Sequence, residues 1–416
     1  MINKELLEKE LNKRNILKEL KKKRVLLLQG PMGDFFNVLE DILVKNNSIV
    51  FRMGLNYGDD WFVNKPNIFK NFYGLLPGKK YQKDNYFSYK GNVEGFSKYI
   101  KEFYISNKIE VIFVFGDCRL YQSQAIKKAK KLGIEIYVFE EGYIRPNYIT
   151  LEKNGVNKYS CLPKNKEYYL KQKDIKNEEP KVLNKVFNRA INYAITYYIL
   201  SFIGSYKYPH YIHHRNFNPF MEFYYGLKNF IKSRFSKIED NKISKKVIYN
   251  LRKNYFLVPL QTYNDFQIIT HSKYNSVEDF INEVMFSYKK NGEQGFLLFK
   301  HHPMDRGRKD YRKHINKKKK ELGINKKIYV CFDGKLPRLI KNSKGVIQIN
   351  STTGMQSMYH KIPTICLGKS FFDFEGLTDQ NGLDNFWFKQ TIANNDLYEK
   401  YRNYLIKHTQ LNSSFY

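Results

Sequence analysis

The chain has 416 residues, of which 42% are hydrophobic, so it can bury two or three domain cores and global disorder is excluded. Lys and Arg number 72 against 40 Asp and Glu, which gives a net charge of +32. Such an excess attracts nucleic acid, nucleotide phosphates or an anionic membrane surface. A Lys-rich solvated surface without a partner is the other interpretation, and the count alone leaves both open.

No apolar stretch approaches the roughly 20 residues that a membrane-spanning helix needs. The charged segment MINKELLEKELNKRN lacks the apolar core of a signal peptide, so we expect a cytoplasmic protein. None of the four cysteines forms a close pair with zinc-ligand spacing, and we expect reduced thiols at Cys118, Cys161, Cys331 and Cys366.

A helical lead-in over residues 1–23 is followed by a first α/β domain, which we assign to residues 24–163. Apolar runs with the length of buried strands predict its strands at 25–30, 48–54, 110–116 and 134–142. A helix over 124–133, ending at a glycine, separates the last two. Strands that alternate with helices predict a parallel, doubly wound sheet.

The segment 164–245 interleaves Tyr, Phe, Lys and Arg at roughly helical spacing. Helices that pack on the sheet domains are the interpretation that the pattern favours. A basic and aromatic surface over 190–235 that contacts lipid headgroups is the alternative, and the sequence leaves it open.

A second α/β domain is predicted over residues 246–370, and residues 371–416 are predicted to be helices that pack back on the first domain. The strands of the second domain are expected at 254–261, 295–303, 328–334, 345–350 and 363–368. The predicted fold class is therefore α/β, with two Rossmann-like domains facing a central cleft. Ligands of such folds bind at the carboxyl ends of the strands, where polar residues carry most information.

Polar residues follow the first, third and fourth predicted strands of the first domain. Gln29 and Gly30 follow the first strand, and Asp117 and Arg119 follow the third. A tight turn at Gly30 can hold an anion or a sugar at the next helix, although an ordinary strand–helix turn explains it equally well.

Two adjacent carboxylates, Glu140 and Glu141, end the fourth strand. Such a position is unfavourable unless the carboxylates are exposed or paired. A carboxylate that faces a cleft can act as nucleophile or as acid and base on a glycosidic carbon. Because neighbouring strand residues point to opposite faces, we expect one of the two to be catalytic. A structural ion pair with Arg145 is the alternative.

In the second domain, Lys300 and two histidines close a strand before Pro303. Alternation predicts that one histidine faces the cleft and the other the core. An imidazole donor toward a phosphate, with Lys300 as a point charge, fits this pattern better than a metal site.

Two further turns of the second domain carry polar side chains. The hydroxyls of Ser351, Thr352 and Thr353 precede a helix, where they form a phosphate cradle or, alternatively, only a helix cap. Gln261 and Asp265 follow another strand, and amide side chains of this kind bind a base or a sugar.

Eight motifs, taken in order and spacing, resemble the KpsS-type capsule polysaccharide proteins, a family also called LipB. The likeness covers roughly 24–163 and 254–416, and its motifs are QGPMGDFF, FGDCRLYQ, FEEGYIRPNYITLE, VPLQTYND, FKHHPMDRGRKDY, NSTTG, GLTDQNGLDNFW and TQLNSSFY.

The resemblance implies a GT-B-like, retaining β-Kdo transferase of a Gram-negative capsule export system. Such an enzyme uses CMP-β-Kdo and starts an oligo-Kdo linker on phosphatidylglycerol or lyso-phosphatidylglycerol. It also implies a cytoplasmic protein that is peripheral at the anionic inner membrane, in a capsule synthesis and export complex with a linker-extending Kdo transferase. A charge of +32 suits that surface.

The resemblance also assigns roles to residues. The related linker-extending enzymes carry a carboxylate–Gly–aromatic motif, more often with Asp, whose carboxylate is the nucleophile. Glu141 of Glu141-Gly142-Tyr143 matches it, with Glu140 as support and Asp117 as a further candidate. The phosphate of CMP is expected at His302-Pro303 and Ser351-Thr352, with Gln261 near the donor.

No Asp-x-Asp motif falls convincingly at a predicted strand end, so we expect transfer without a metal ion or another cofactor. Another CMP-sugar transferase, similar to the sialyltransferases, is the nearest alternative function. A nucleic-acid-binding protein is disfavoured because the basic residues are dispersed along the chain, and we expect no nucleic-acid partner.

Overall fold

A computed structural model of the chain describes residues 2–28, 30–64, 85–183, 186–213 and 219–416. Gln29, one of the predicted site residues, lies outside them. The chain forms two compact units. The first unit comprises Met1–Cys161, Lys176–Pro219 and Leu405–Tyr416, and the second comprises Leu162–Ile175 and Phe220–Tyr404.

Strands and helices alternate along most of the described chain. The strands are β1 (Arg24–Leu28), β2 (Ile49–Gly54), β3 (Tyr86–Ser88), β4 (Val111–Phe115), β5 (Glu135–Glu141), β6 (Ile149–Lys153), β7 (Tyr255–Pro259), β8 (Phe296–Lys300), β9 (Ile328–Cys331), β10 (Gly345–Gln348), β11 (Thr364–Cys366) and β12 (Gln410–Leu411). The α-helices are α1 (Lys4–Lys13), α2 (Ile16–Leu20), α3 (Gly33–Lys45), α4 (Tyr57–Asn64), α5 (Val93–Ser106), α6 (Leu120–Lys131), α7 (Lys166–Leu170), α8 (Val186–Ile203), α9 (Pro219–Lys245), α10 (Phe266–His271), α11 (Val277–Lys290), α12 (Arg312–Glu321), α13 (Leu336–Asn342), α14 (Thr353–Tyr359), α15 (Leu383–Phe386) and α16 (Asn395–Thr409).

The sheet of the first unit has the strand order β12-β6-β5-β4-β1-β2-β3. Neighbouring strands are parallel from β5 through β4, β1 and β2 to β3. At the other side, β6 pairs antiparallel with β5, and β12 pairs antiparallel with β6. The central strand β4 is apolar at every position and buried, as expected for a strand covered on both faces. The strand order reverses between β1 and β4, so ligands are expected beside the carboxyl ends of these two strands.

Aromatic side chains fill the core of the first unit, and one of them comes from the last residues of the sequence. Phe415 is buried with edge-to-face contacts to Phe35 at 4.8 Å and Phe115 at 5.0 Å between ring centroids. Such pairs add about 0.5–1.5 kcal/mol to the burial of the rings. The first unit is therefore completed by residues that follow the whole of the second unit in the sequence.

The second unit contains a fully parallel sheet with the order β11-β10-β7-β8-β9, which reverses between β7 and β10. Its core includes Trp387, which is completely buried against Phe256 and Tyr288. The indole N–H of Trp387 donates to the hydroxyl of Ser287 at 2.8 Å, which satisfies its buried polar atom.

The predicted α/β fold class is confirmed, since both units are doubly wound around parallel strands. The middle segment is shared in the structure, because residues 176–219 lie in the first unit and residues 220–245 in the second. Of the predicted C-terminal helices, the part before residue 405 lies in the second unit. The last residues return to the first unit, where β12 pairs with β6.

Phe415→Ala should destabilise the first unit by about 3–5 kcal/mol, because a cavity forms among Phe35, Phe115 and Phe139. Urea unfolding followed by fluorescence would measure the loss. Ile105→Ala in the same unit is the control, since that side chain is exposed and should change stability by less than about 0.5 kcal/mol. Equal midpoints for the two variants would contradict the assignment of Phe415 to the core.

Candidate active site

Glu140 and Glu141 form the last two positions of β5 in the first unit. They pair with Thr150 and Ile149 of the antiparallel strand β6, and both side chains are half-buried. An apolar strand that ends in two carboxylates therefore delivers both groups to the carboxyl edge of the sheet.

Close packing explains the Gly and Tyr that follow Glu141. A Cβ atom on Gly142 would lie 2.0 Å from the carbonyl oxygen of Tyr148, so only glycine fits. The buried Tyr143 donates its hydroxyl to Glu152 at 2.7 Å and accepts from the backbone N–H of Asn157 at 2.6 Å. Gly142 and Tyr143 thus fix the end of β5.

The returning strand β12 holds the same turn from the other side. The amide oxygen of Gln410 accepts from the backbone N–H of Tyr143 at 3.0 Å, and its amide nitrogen donates to the hydroxyl of Thr150 at 3.0 Å. The hydroxyl of Tyr416 donates to the Glu141 carboxylate at 3.3 Å.

Burial raises the pKa of Glu140 from its ordinary value of 4.5 to about 7. The backbone N–H of Glu141, 3.0 Å from the Glu140 carboxyl, and the charge of Arg119 lower this pKa, whereas the charges of Glu141 and Asp117 raise it further. The carboxyl of Glu140 can therefore hold or release a proton near neutral pH, as an acid or base in catalysis must.

The other predicted polar residues of this edge have separate contacts. Asp117 is buried and accepts from the backbone N–H of Val156 at 2.9 Å. Arg119 lies over the ring of Phe115 at 4.8 Å. Arg145 donates to the carbonyl of Gly142 at 3.2 Å, and among the described residues no ion pair joins it to Glu140 or Glu141. Arg119 is the cation whose charge acts on Glu140.

Gly30 and Arg119 line a pocket beside the carboxyl ends of β1 and β4, where the strand order reverses. Asp59 lies at its wall, buried, and accepts from the hydroxyl of Tyr197 at 3.0 Å. Burial raises the pKa of Asp59 to about 7. The sequence reasoning missed this residue, although the run GDDWF after the second strand was its signal.

In the second unit, the two histidines after β8 separate as alternation predicts. His301 is buried against Phe332 and Tyr311, and burial lowers its pKa to about 3. His302 is partly exposed, and its Nδ1 accepts from the backbone N–H of Met304 at 3.3 Å. In the neutral ring the hydrogen therefore sits on Nε2, which can act as a donor.

Lys300 has a buried ammonium group that donates to the backbone carbonyls of Phe332 at 2.7 Å and His301 at 3.2 Å. Desolvation lowers its pKa. These contacts join the ends of β8 and β9. The ammonium group that was predicted to act as a point charge on a phosphate therefore binds backbone carbonyls inside the second unit.

The three hydroxyl residues lie at the start of α14, shortly after the strand β10, and Thr353 is the first residue of the helix. The hydroxyl of Ser351 accepts from the backbone N–H of Thr353 at 3.2 Å and donates to the hydroxyl of Thr353 at 3.0 Å. Ser351 thereby provides the local cap, and the side chain of Thr352 makes no capping bond. All three residues are partly exposed and remain candidates for binding a phosphate.

A chain of hydrogen bonds links the ends of β7 and β10, where the strand order of the second unit reverses. Gln261 donates to Asp265 at 3.0 Å, Asp265 accepts from the backbone of Gln267, and Asn350 donates to the carbonyl of Gln267 at 3.0 Å. Because these partners are pure acceptors, they fix the orientation of both amides.

This orientation leaves two buried amide oxygens, Oε1 of Gln261 and Oδ1 of Asn350, without a donor among the described residues. A buried acceptor in this state costs about 1–3 kcal/mol, and a ligand with hydroxyl or amino groups removes that cost. Sequence reasoning selected Gln261 but missed Asn350, although Asn350 precedes the hydroxyl motif directly.

Each unit thus collects its predicted residues at a strand edge, Glu140, Glu141, Asp117 and Arg119 in the first and Gln261, Asp265, His302 and Ser351–Thr353 in the second. In the described part of the chain no three His, Cys, Asp or Glu side chains are grouped as metal ligands. Transfer without a metal ion stays a prediction.

Parallel α/β units with polar clusters at strand ends define a ligand-binding α/β protein. Residues 110–416 match the family model "Capsule polysaccharide biosynthesis protein". The chain is similar to the capsule polysaccharide export protein KpsS of Escherichia coli, with 33% identity over 95% of this chain and 97% of that protein. It is 34% identical to the capsule polysaccharide modification protein LipB of Neisseria meningitidis serogroup B, over 97% and 94% of the two chains.

The chain therefore belongs to the family of capsule polysaccharide biosynthesis proteins of the KpsS and LipB type, as its motifs indicate. Among solved structures, it is similar to KpsC of Thermosulfurimonas dismutans, a β-Kdo 2,7 transferase, with a TM-score of 0.38. The identity is 13%, over 78% of this chain and 83% of that one.

Glu140→Gln should remove a dependence of stability on pH. Between about pH 4.5 and 7 the folded state keeps a proton on Glu140 that the unfolded chain releases, so the free energy of unfolding falls as pH rises. Gln cannot ionise, so its free energy of unfolding lacks this fall. As pH rises from 4.5 to 8, the stability of the variant relative to the native protein should increase by about 2–3 kcal/mol.

Urea unfolding at several pH values would measure this difference. Glu178→Gln is the control, because Glu178 is exposed and ion pairs with Lys9 and Lys13 lower its pKa. A stability difference for Glu140→Gln that does not change with pH would contradict the burial of this carboxyl.

Proposed function

We propose that the protein is a glycosyltransferase that moves β-Kdo from CMP-β-Kdo to a phosphatidylglycerol-type lipid with retention, starting the oligo-Kdo linker of a capsular polysaccharide. The carboxylate pair at the end of β5 carries this proposal. Glu140 has a pKa of about 7, while the Glu141 carboxylate accepts a hydrogen bond from Tyr416. Two adjacent carboxyls with different environments suit a reaction in two displacements.

In the proposed first step, a carboxylate oxygen of Glu141 attacks C2 of Kdo. The bond from C2 to the CMP oxygen breaks, and CMP leaves with the electron pair. In the second step, the acceptor hydroxyl attacks C2, the bond to Glu141 breaks, and Glu140 takes the hydroxyl proton. Strand alternation alone predicts one catalytic carboxyl, but the Glu140 carboxyl turns back to the backbone N–H of Glu141, 3.0 Å away, so we assign both carboxyls to the reaction. A base with a pKa near the working pH suits this transfer, and two inversions at C2 give retention.

We assign the sugar donor, CMP-β-Kdo, to the second unit. There the groups that donate hydrogen bonds and the groups that accept them lie on separate elements. Nε2–H of His302 and the hydroxyls of Thr352 and Thr353 are assigned to the CMP phosphate, while Ser351 donates to Thr353 and so orients its hydroxyl. The oxygens of Gln261 and Asn350 would repel a phosphate but accept from the hydroxyl or amino groups of a nucleoside or sugar. Lys300 is given no contact with the donor because its ammonium binds two carbonyls.

We place the protein in the cytoplasm at the anionic inner membrane, where its lipid acceptor lies, because the charge of +32 favours such a surface. The family of the chain supports a role in capsule polysaccharide synthesis and export. A complex with a linker-extending Kdo transferase is part of the proposal. Incubation with a lyso-phosphatidylglycerol acceptor and either CMP-Kdo or CMP-sialate tests the donor. Sialyl transfer without any Kdo-lipid product would replace the proposal by its nearest alternative.

Glu141→Gln should lower transfer by about a thousandfold or more, because the amide cannot form the glycosyl ester. Affinity for CMP, measured by calorimetry, should stay within about twofold, since Glu141 lies in the first unit and the donor contacts are assigned to the second. Glu140→Gln is the companion variant, and it should slow the second step so that intact-protein mass spectrometry detects a covalent Kdo adduct. Full activity of Glu141→Gln would move the nucleophile to Glu140 or Asp117, or exclude a carboxylate.

His302→Ala should weaken CMP binding about tenfold, which corresponds to one charge-assisted hydrogen bond of about 1.4 kcal/mol. His360→Ala is the matched control in the same unit, because His360 follows α14 at the end away from Ser351. Calorimetric titration with CMP and with cytidine would separate phosphate from nucleoside binding. If both variants bind CMP like the native protein, His302 does not contact the phosphate.

A further inference from the structure

The outer side of α9 in the second unit is apolar. Tyr224, Leu227, Ile231, Phe235 and Ile238 are separated by three or four residues and therefore lie along one side of the helix. All five are exposed, Phe235 to 78% and Ile238 to 66%. We call these five residues the outer stripe.

The inner side of α9 is attached to the second unit through polar contacts. Asp240 is buried and accepts from the backbone N–H groups of Phe332 at 3.3 Å and Asp333 at 3.0 Å, and Glu222 forms an ion pair with Arg308. A helix on a protein surface ordinarily buries its apolar side and exposes its polar one. Because α9 does the reverse, the outer stripe is not explained by the packing of the described chain.

Basic side chains lie on both edges of the outer stripe. Lys228 and Lys232 follow one edge, and Arg234 and Lys237 follow the other. Lys228 lies over the ring of Tyr224 at 5.5 Å, which keeps its cation beside the apolar surface. A stripe of aromatic and aliphatic residues between cations is the pattern of a helix that lies in the interface of an anionic bilayer.

A groove with basic side chains lies at the carboxyl end of the same helix. Its charged residues are four cations and one carboxylate, namely Lys242, Lys246, Arg312, Lys327 and Glu239. Each Lys or Arg near an anionic bilayer adds about 1 kcal/mol of attraction. The groove, like the edges of the outer stripe, therefore attracts anionic lipid.

We propose that the outer stripe and its basic edges bind the protein to the surface of an anionic phospholipid bilayer, with α9 lying in the plane of the headgroups. No helix in the described ranges is both long and apolar enough to span a bilayer, α9 included. The purpose of this contact rests on the proposed function, because a lipid acceptor has to be reached at a membrane surface. The contact itself is tested without any transfer reaction.

The test is sedimentation of the full-length protein with vesicles of phosphatidylcholine that contain about one-third phosphatidylglycerol, and with pure phosphatidylcholine vesicles. The variant replaces Tyr224, Ile231 and Phe235 by Ser, and its binding to the anionic vesicles should fall at least tenfold. The control replaces Ile105, Phe286 and Phe388 by Ser, because these side chains are similarly exposed but lie outside α9. This control should bind like the native protein.

Circular dichroism and CMP affinity should be the same for all three proteins, since the side chains of the outer stripe are exposed and none of them is assigned to the CMP site. A stripe variant that binds anionic vesicles like the native protein would overturn the proposal, as would equal loss in the control. A native dimer that the stripe variant breaks, with unchanged vesicle binding, would assign the surface to a second copy instead. Failure of Kdo transfer in the native protein would remove the proposed function and leave the sedimentation result standing.

Discussion

The desolvation of the half-buried Glu140 side chain is the constraint on which the candidate active site depends. An apolar strand brings Glu140 and Glu141 to its end, and the same burial that completes the sheet raises the pKa of Glu140 to about 7. The tight approach of Gly142 to Tyr148 and the buried hydroxyl of Tyr143 then hold the turn. Folding and proton chemistry thus have one physical origin at this edge of the sheet.

The two units provide different chemical groups for the proposed reaction. The edge of the first unit carries carboxyls and a cation. The edge of the second carries hydroxyls, an imidazole donor and two buried amide oxygens that have no donor in the described part of the chain. Groups that donate and groups that accept occupy separate elements in the second unit. Such a separation suits a ligand with a phosphate at one end and hydroxyl or amino groups at the other.

Long apolar runs made most of the fold predictable, and β1, β4, β5, β7 and β8 lie where those runs are. The strands β3, β6 and β12 were missed. β3 and β12 have only three and two residues, and the pairing of β12 with β6 joins residues that are far apart in the sequence. Periodicity separated His301 from His302 correctly. It could not predict that Lys300 would turn inward to two carbonyls or that the charge of Arg119 would lower the pKa of Glu140, since these outcomes depend on tertiary distances.

The return of the chain to the first unit has a consequence for its synthesis. Gln410 holds the turn after Glu141, Phe415 fills the core, and Tyr416 contacts the Glu141 carboxylate. The ribosome makes these residues after all the other strands of the two sheets. The edge that carries Glu140 and Glu141 is therefore completed only when translation of this segment has finished. A nascent chain that has reached Tyr404 therefore contains every residue of the second unit but still lacks this part of the first unit.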